Sequence, residues 1–568
     1  MRKNPATGHF EETGAIKKDW RGRRRVVLVY PNHYQLGMSN LGFQAVYQLL
    51  NARDDLVCER AFLPDGDTSA GGRLVTMESG RPAVDADMLA FSISFENDIP
   101  NLLRCLALAG LPLSSEKRRA SDPLVIAGGV VPMLNPEPMA RFVDCFLIGE
   151  AETILPAFLD TWDPDQDRTP LLLSLARQVP GAYVPSLYRT AYRSDGTISL
   201  FEPIADVPAR IKRAYVADLA DCATHSQVLT PQTTFSNTFL TEVSRGCPHG
   251  CRFCSAGFVY RPPRFRPVEK LADTIQNGLK ITSKVGLVGA AVSDLPGIGE
   301  LCARFSGDKA QLSFSSLRAD ALTPALLKAL KTSGVKTATI APDAGSERLR
   351  RVINKWIEEA AFLKAAADLV AEDIPNLKLY FMVGLPTETS VDIDAIIDLC
   401  KRIKHRFLVA SRRRKRIGTI SISLNCFVPK PVTPFQWAAM DDLAALKQKI
   451  KKIKTTLRRI PNIRVNADVP RWAHVQALLA RGDRRVSDIL EAVHANGGNW
   501  ANALKQSPLN AGFYVVRERD LKERLPWDFI DQGIRKRFLW SEYQQALKDR
   551  PGPECRVGTC TVCGICRQ

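Results

Sequence analysis

A chain of 568 residues is too long for one hydrophobic core, and its length points to three or four domains. Hydrophobic residues make up 45% and charged residues 24%, the balance of an ordinary folded protein, which excludes a disordered or low-complexity class. No window approaches about 18 uninterrupted apolar residues and the N-terminus lacks an apolar signal core, so a cytoplasmic protein with no membrane segment is expected.

After a basic lead over 1–23, Val26 to Tyr30 reads as an apolar strand, Pro31 to Gly42 as a turn-rich loop and Phe43 to Leu50 as a helix. "MLAFSISF" at Met88 to Phe95 reads as a buried strand, and "IPNLLRCLALAG" as a helix. "PLVIAGGVVP" reads as a strand running into a double-glycine turn, and "CFLIGEAETILPAFLDTW" as a short strand and helix. Strands alternating with helices at this spacing predict a parallel sheet covered on both faces, so 24–165 is expected to form a Rossmann-like domain. Residues 166–235 form a mixed connector with the strand-like pieces "AYVPSLYRTAY" and "GTISLF". From "TFLTEVSRG" to "TISISLNCFVPKP" a βα unit repeats, with glycine-bearing loops at strand ends, the place where α/β barrels put their chemistry. This predicts a barrel-like catalytic domain over 236–430. An accessory α+β region follows over 431–550, containing an apparent strand at "IRVNADV". The Pro- and Gly-rich tail 551–568 has no hydrophobic core and needs a staple.

The chain has 14 cysteines. Seven of them, Cys58, Cys105, Cys145, Cys222, Cys302, Cys400 and Cys426, are scattered, mostly among apolar residues, and read as small buried hydrophobes. The rest fall in two groups, Cys247, Cys251, Cys254 and Cys555, Cys560, Cys563, Cys566. In a reducing compartment, clustered thiols serve metal or catalysis. The first group has the spacing C-x3-C-x2-C, with Gly246 and Gly250 letting the backbone curl so that three thiolates converge. Structural zinc wants four protein ligands, and His249 inside the x3 loop can hardly reach an ion held by its neighbours. A dithiol redox pair would leave Cys247 unexplained. Three ligands without a fourth fit a cubane cluster with one open iron, to which a substrate or cofactor can bind.

"EVSRGCPHGCRFCSAGFVYRPPR", with an aromatic Phe253 before the last cysteine, closely resembles the signature of the radical S-adenosylmethionine (SAM) superfamily. The resemblance implies a [4Fe-4S] cluster on Cys247, Cys251 and Cys254 whose open iron chelates SAM. An electron from the cluster then cleaves a carbon–sulfur bond and a 5′-deoxyadenosyl radical abstracts hydrogen from a substrate, which implies a flavodoxin or ferredoxin-type electron donor. It also implies that the segment Gly289 to Ser293 contacts the methionine moiety. On the same resemblance Asp343, Ser346 and Glu347 lie near the cofactor, although capping of the helix "SERLRRVI" explains those residues too. Val383, Gly384 and Leu385 are implied near adenine, and Arg318 as the partner of a carboxylate or a surface residue. Tyr260 and Arg261 either line the pocket or close the loop.

A Rossmann-like domain ahead of such a barrel resembles the cobalamin-binding subclass. The loop "YPNHYQLGMSNLG" departs from that subclass's D-x-H-x-x-G motif: His33 precedes Gly37 by four residues and lacks the aspartate. The departure weakens direct cobalt ligation by histidine more than it weakens cobalamin binding. "IAGGVVP" and "IGEAE" resemble the loops around the corrin tail, which makes Gly128, Gly129, Gly149 and Glu150 candidates. Nearly the whole chain, through "NPEP", "GLPTET" and "PWDFIDQGI", looks like one widespread bacterial group with this domain.

The tail "ECRVGTCTVCGICRQ" spaces its cysteines as C-x4-C-x2-C-x2-C, enough to surround a second cluster, with zinc as the rival. The resulting expectation is an α/β radical SAM enzyme with a Rossmann-like cobalamin-binding-type domain, a partial (β/α) barrel and a small α+β C-terminal region. Its reaction would modify an unreactive carbon, with methyl or methylthio transfer to RNA foremost. A net charge of +18, with its densest basic run from Lys401 to Gly418, attracts phosphate backbones or another acidic partner, or else is a solvated basic surface; with the stretch Arg412 to Arg416 it makes RNA the first substrate expected. Small-molecule or cofactor biosynthesis is the second reading, and a non-enzymatic iron–sulfur RNA-binding protein the third.

Overall fold

In the computed structural model, residues 11–65, 72–305, 310–315, 317–412 and 417–566 are described. The first sheet is built from β1 (Arg24–Tyr30), β2 (Leu56–Phe62), β3 (Met88–Ser92), β4 (Leu124–Gly128), β5 (Cys145–Leu147) and β6 (Ala182–Tyr183), in the spatial order 2-1-3-4-5-6. All neighbours are parallel except β5 and β6. Along β1, Val27 and Val29 join one hydrophobic cluster while Val26, Leu28 and Tyr30 join another, so both faces are buried, as a doubly wound sheet requires. The order reverses between β1 and β3, and that reversal opens a crevice at the carboxyl ends of the strands.

The connector contributes an antiparallel hairpin, Tyr188–Tyr192 with Ile198–Pro203. The second α/β unit runs through β7 (Phe239–Glu242), β8 (Lys284–Val288), β9 (Gln311–Phe314), β10 (Thr337–Asp343), β11 (Asn376–Val383), β12 (Ile420–Cys426) and β13 (Ile463–Ala467). β7 to β9 form one parallel sheet and β10 to β13 another. Among the described residues, one parallel bridge, between Leu317 and Ile340, joins them. The result is an arc of a barrel, not a closed one. Helices between successive strands cover its outside, for example Val268–Leu279 and Ser390–Ala410. β13 comes from the stretch after Pro431 and extends the arc by one strand.

The C-terminal helices tie the two α/β units together. Glu96, just after β3, is buried and accepts from Lys430 and from Gln476 Nε2 at 2.9 Å. Glu137, 1% exposed, accepts from Arg484 at 3.0 Å, and the Asn135 side chain donates to Ala480 O and Gly482 O. One hydrophobic cluster accordingly runs from Val27 and Phe91 of the first sheet through the barrel strands to Trp527 and Tyr543 near the C-terminus. No described helix is long and apolar enough to cross a membrane.

Candidate active site

Cys247, Cys251 and Cys254 lie on the loop that follows β7, at the carboxyl end of a parallel strand. Gly246 opens that loop at φ +83°, and a Cβ there would sit 2.8 Å from Tyr260 O, so the turn requires glycine. Gly250 has no room for a Cβ either, which would meet the Asn354 amide at 2.9 Å. The three thiols lie within electrostatic reach of one another. Burial, with that mutual repulsion added, pushes Cys247 up to about 11 and Cys251 to about 12, and it raises Cys254 as well. Among the described residues no three His, Cys, Asp or Glu side chains are drawn together as a single metal ion would require. Three cysteine sulfurs in mutual reach are the donor set that an iron–sulfur cluster takes.

Two cations face the thiols. Lys355 Nζ donates to Asp343 Oδ2 at 2.5 Å and to Ala341 O, and its charge acts on Cys251 and Cys254. Asp343 itself ends β10 at φ +63° beside a register shift, a left-handed conformation that this salt bridge helps to fix. Arg318 acts on Cys247, while its guanidinium pairs with Asp320 at 2.6 Å. His249 is engaged elsewhere: its Nε2 lies 2.9 Å from Asp294 Oδ1, which ties the x3 loop to the turn after β8. Asp294 Oδ2 and the neighbouring Ser293 Oγ are buried without a hydrogen-bond partner.

The other residues singled out in the sequence divide into two sets. Gly289 lines a cavity beside the cluster loop, and Phe253 packs against the core. Ser346 is the N-cap of the helix Glu347–Val352, accepting from Leu349 N at 3.0 Å and donating to Asp392, so capping accounts for it. Glu347 has a half-exposed side chain 3.6 Å from Arg350, and it also accepts from Glu359 N. Val383 and Leu385 are buried in the core, and Gly384 turns the chain at φ +83° while donating to Glu388. Arg261 is 5% exposed and donates to Gly257 O at 2.6 Å, closing the loop.

The cavity, about 560 Å³, opens where the first sheet's reversal meets the cluster loop. Asn40, Ser92, Gly128 and Gly129 line it from one side, and Ser244, Gly246, Tyr260 and Gly289 from the other. A Cβ on Gly128 would make ordinary contact with Leu147 O at 3.9 Å, whereas Gly129 at φ +106° packs against Ile93 O. Gly149 also lines the cavity, and a Cβ there would collide with Ala214 O at 2.5 Å, so glycine permits its close approach to the connector. His33 is not among the lining residues. It is half-exposed and lies 3.2 Å from Asp65.

One wall carries a buried ion network. Arg245 reaches Glu150 at 2.7 Å, Glu152 at 2.8 Å and Glu242 at 2.8 Å, Arg264 reaches Glu150 at 2.7 Å, and Arg266 reaches Glu242 at 2.6 Å. Burial would raise the Glu150 carboxyl, but the Arg264 hydrogen bond and the charges of Arg245 and Arg264 prevail and hold it below the usual carboxylate range. Glu150, read from the sequence as a cofactor residue, is therefore saturated by arginines. The Ser244 hydroxyl, 3% exposed, has no partner and lies where a Cβ on Gly289 would be 2.7 Å away.

Residues 42–185 match the family described as radical SAM proteins, N-terminal, and residues 241–400 match the radical SAM superfamily. The chain is 31% identical over 489 residues to an uncharacterized protein of Methanocaldococcus jannaschii, covering 86% of this chain and 95% of that one. It is 27% identical over 227 residues to the tRNA-2-methylthio-N(6)-dimethylallyladenosine synthase of Sorangium cellulosum, covering 34% and 45%. The solved radical SAM methyltransferase TsrM of Kitasatospora setae is 11% identical, with a TM-score of 0.45 over 70% of this chain and 72% of that one. The chain belongs to the radical S-adenosylmethionine superfamily, an enzyme class built on a [4Fe-4S] cluster and SAM.

Proposed function

We propose that the protein is a radical SAM transferase that modifies an unreactive carbon by methyl or methylthio transfer. The observation that carries this is the set of three cysteines in mutual reach on a glycine-opened loop, at the carboxyl end of β7 and beside a cavity. The cluster, when bound, supplies the electron that splits SAM into methionine and a 5′-deoxyadenosyl radical. In this reading Cys247, Cys251 and Cys254 hold it, and the buried Lys355 sets a positive charge beside Cys251. Asp343 is fixed by Lys355 at the carboxyl end of β10, and Gly289 and Ser293 follow the carboxyl end of β8. A flavodoxin or ferredoxin-type protein donates the electron, and the protein works in the cytoplasm.

The cavity between the first sheet and the cluster loop has a mainly apolar lining, and cobalamin is the cofactor we assign to it, where it would supply a methyl carrier. Gly128, Gly129, Ser92 and Asn40 would hold it at the strand-order reversal, while His33 lies outside that lining and pairs with Asp65. The tail cysteines hold a second metal site, an iron–sulfur cluster in preference to zinc.

RNA is the proposed substrate, supported by the charge of +18 and by similarity to an enzyme whose name specifies tRNA. Of the basic run Arg412 to Arg416, only Arg412 falls within the described residues. A small-molecule substrate is the second reading, favoured by the size and apolar wall of the cavity. The test is anaerobic reconstitution with iron and sulfide, followed by incubation with SAM and a reductant. Release of 5′-deoxyadenosine that disappears in Cys251→Ala is expected, and an intact cluster without SAM cleavage would refute the enzyme reading. Retention of RNA that falls steeply with salt selects the first substrate class, and its absence selects the second.

A further inference from the structure

Residues 551–566 contain turns but neither helix nor strand, and of the four cysteines only Cys563 is buried. Apolar burial alone does not hold such a segment, yet it is fastened at both ends. At its start, Gly552 N donates to Asn354 Oδ1 at 3.0 Å, and Asn354 Nδ2 donates to Gly250 O at 3.0 Å, between Cys247 and Cys251. One amide side chain thus spans the tail and the cluster loop. Gly552 has no room for a Cβ, which would lie 2.1 Å from the Glu542 carboxylate. That carboxylate accepts from Arg252 Nε at 3.1 Å. Arg252, between Cys251 and Phe253 and fully buried, also donates to Arg550 O at 2.9 Å and to Val352 O at 2.9 Å. Further along, Arg535 N donates to Cys563 O at 3.0 Å. Cys555 lies within electrostatic reach of Cys560, Cys563 and Cys566, and of Arg261, which closes the cluster loop.

We propose that the metal-loaded tail is a clasp on the outer side of the cluster loop, holding Gly250 and Arg252 in place through Asn354 and Glu542, so that loss of tail metal makes the first cluster labile. This rests on the reading of the tail cysteines as a metal site. The four thiolates supply the order that the tail's sequence cannot, and the bridging hydrogen bonds transmit it to the loop. The clasp acts on the durability of the first cluster, not on the chemistry performed there.

The test uses the full chain, reconstituted anaerobically, in three forms: unchanged, Cys560→Ala with Cys563→Ala, and Asn354→Asp. Asn354 has φ +57°, which aspartate tolerates, and the substitution keeps the acceptor for Gly552 while removing the donor to Gly250. Metal content is measured per chain, and the bleaching of the first cluster by a chelator is followed in the visible spectrum. The double variant is expected to lose the tail metal, and Asn354→Asp to keep it. In both, the first cluster should bleach about tenfold faster, the effect of losing one buried hydrogen bond or a little more. An unchanged bleaching rate in either variant overturns the clasp while leaving the second metal site standing. A first cluster equally durable but slower to accept electrons in the double variant overturns it in favour of an electron relay. If the unchanged chain carries only the metal of the first cluster, the tail-site reading itself fails.

Discussion

Asp98 lies in the short turn after β3, 4% exposed, its Oδ1 accepting from Asn32 Nδ2 at 2.6 Å. Burial pushes its carboxyl up to about 6; Asn32 opposes the rise and the charge of Glu96 adds to it. Tyr30 and Cys105 also feel its charge, and no cation offsets it among the causes that act on this carboxyl. A folded-state value above the unfolded one means that the folded protein holds the proton more tightly. The cost of ionising Asp98 is absent below about pH 4, grows as the pH rises through 6, and is complete above 7. Asp98→Asn keeps the acceptor for Asn32 and removes that cost. At pH 7.5 it should be more stable than the unchanged protein by on the order of 2 to 3 kcal/mol. Denaturant titrations at several pH values check this: a stability difference that does not shrink towards pH 4 would contradict it. Lys355 shows why such residues escape sequence reading. A single lysine in "VINKW" carries no spacing signal, and it reaches the cysteines only because the chain turns back after the helix Glu347–Val352.

At the scale of elements, the loop from Glu242 to Arg266 was legible for its cysteines and glycines but not for what fixes it. Arg245, Arg252, Arg261, Arg264 and Arg266 are each at most 9% exposed. In sequence they read as part of a basic protein, because beyond Glu242 and Gly257 in the loop itself several of their partners lie far away along the chain: Glu150 and Glu152 before the loop, Glu542 and Arg550 near the C-terminus. Among the barrel strands "ISISL" announces itself by alternation, whereas "LYFMV", β1, β3 and β4 announce themselves as uninterrupted apolar runs. β2 does not, since Glu59 and Arg60 interrupt "LVCERAF". Arg60 is buried only because Glu12 and Glu78 come to it at 2.7 and 2.6 Å. β13 was readable as a strand, but its place beside β12 follows from pairing that the sequence does not display. Removing the central arginine of the loop tests how far its ions matter. Arg245→Met leaves Glu152 with only a 3.4 Å contact from Thr224 and takes one partner each from Glu150 and Glu242. Breaking a buried pair in this way costs about 3 kcal/mol or more. A clear fall in melting temperature is expected, with partial recovery in Arg245→Lys, and an unchanged melting temperature would show that the network is energetically idle.

For the whole molecule, the consequence of these pairings is that the first α/β unit does not own its stability. Three of its buried carboxylates are neutralised from later parts of the chain: Glu96 by Lys430, Glu137 by Arg484, and Glu150 by Arg245 and Arg264. Its main hydrophobic cluster is shared with the barrel and the C-terminal helices, and Met133 O accepts from Gln532. Cut from the rest, residues 11–235 would expose one face of the sheet and leave those carboxylates either unpaired or newly hydrated. Each partnerless buried charge costs several kcal/mol, against a total stability of about 5–15 kcal/mol for an ordinary domain. The fragment is therefore expected to lack sharp near-ultraviolet circular dichroism and to bind a hydrophobic dye while keeping helical and strand signals. Refolding it together with residues 236–568 should restore a single cooperative transition. A fragment that unfolds cooperatively by itself would show that the carboxylates adapt without their partners, and that the interdomain cavity is formed by two independently stable walls.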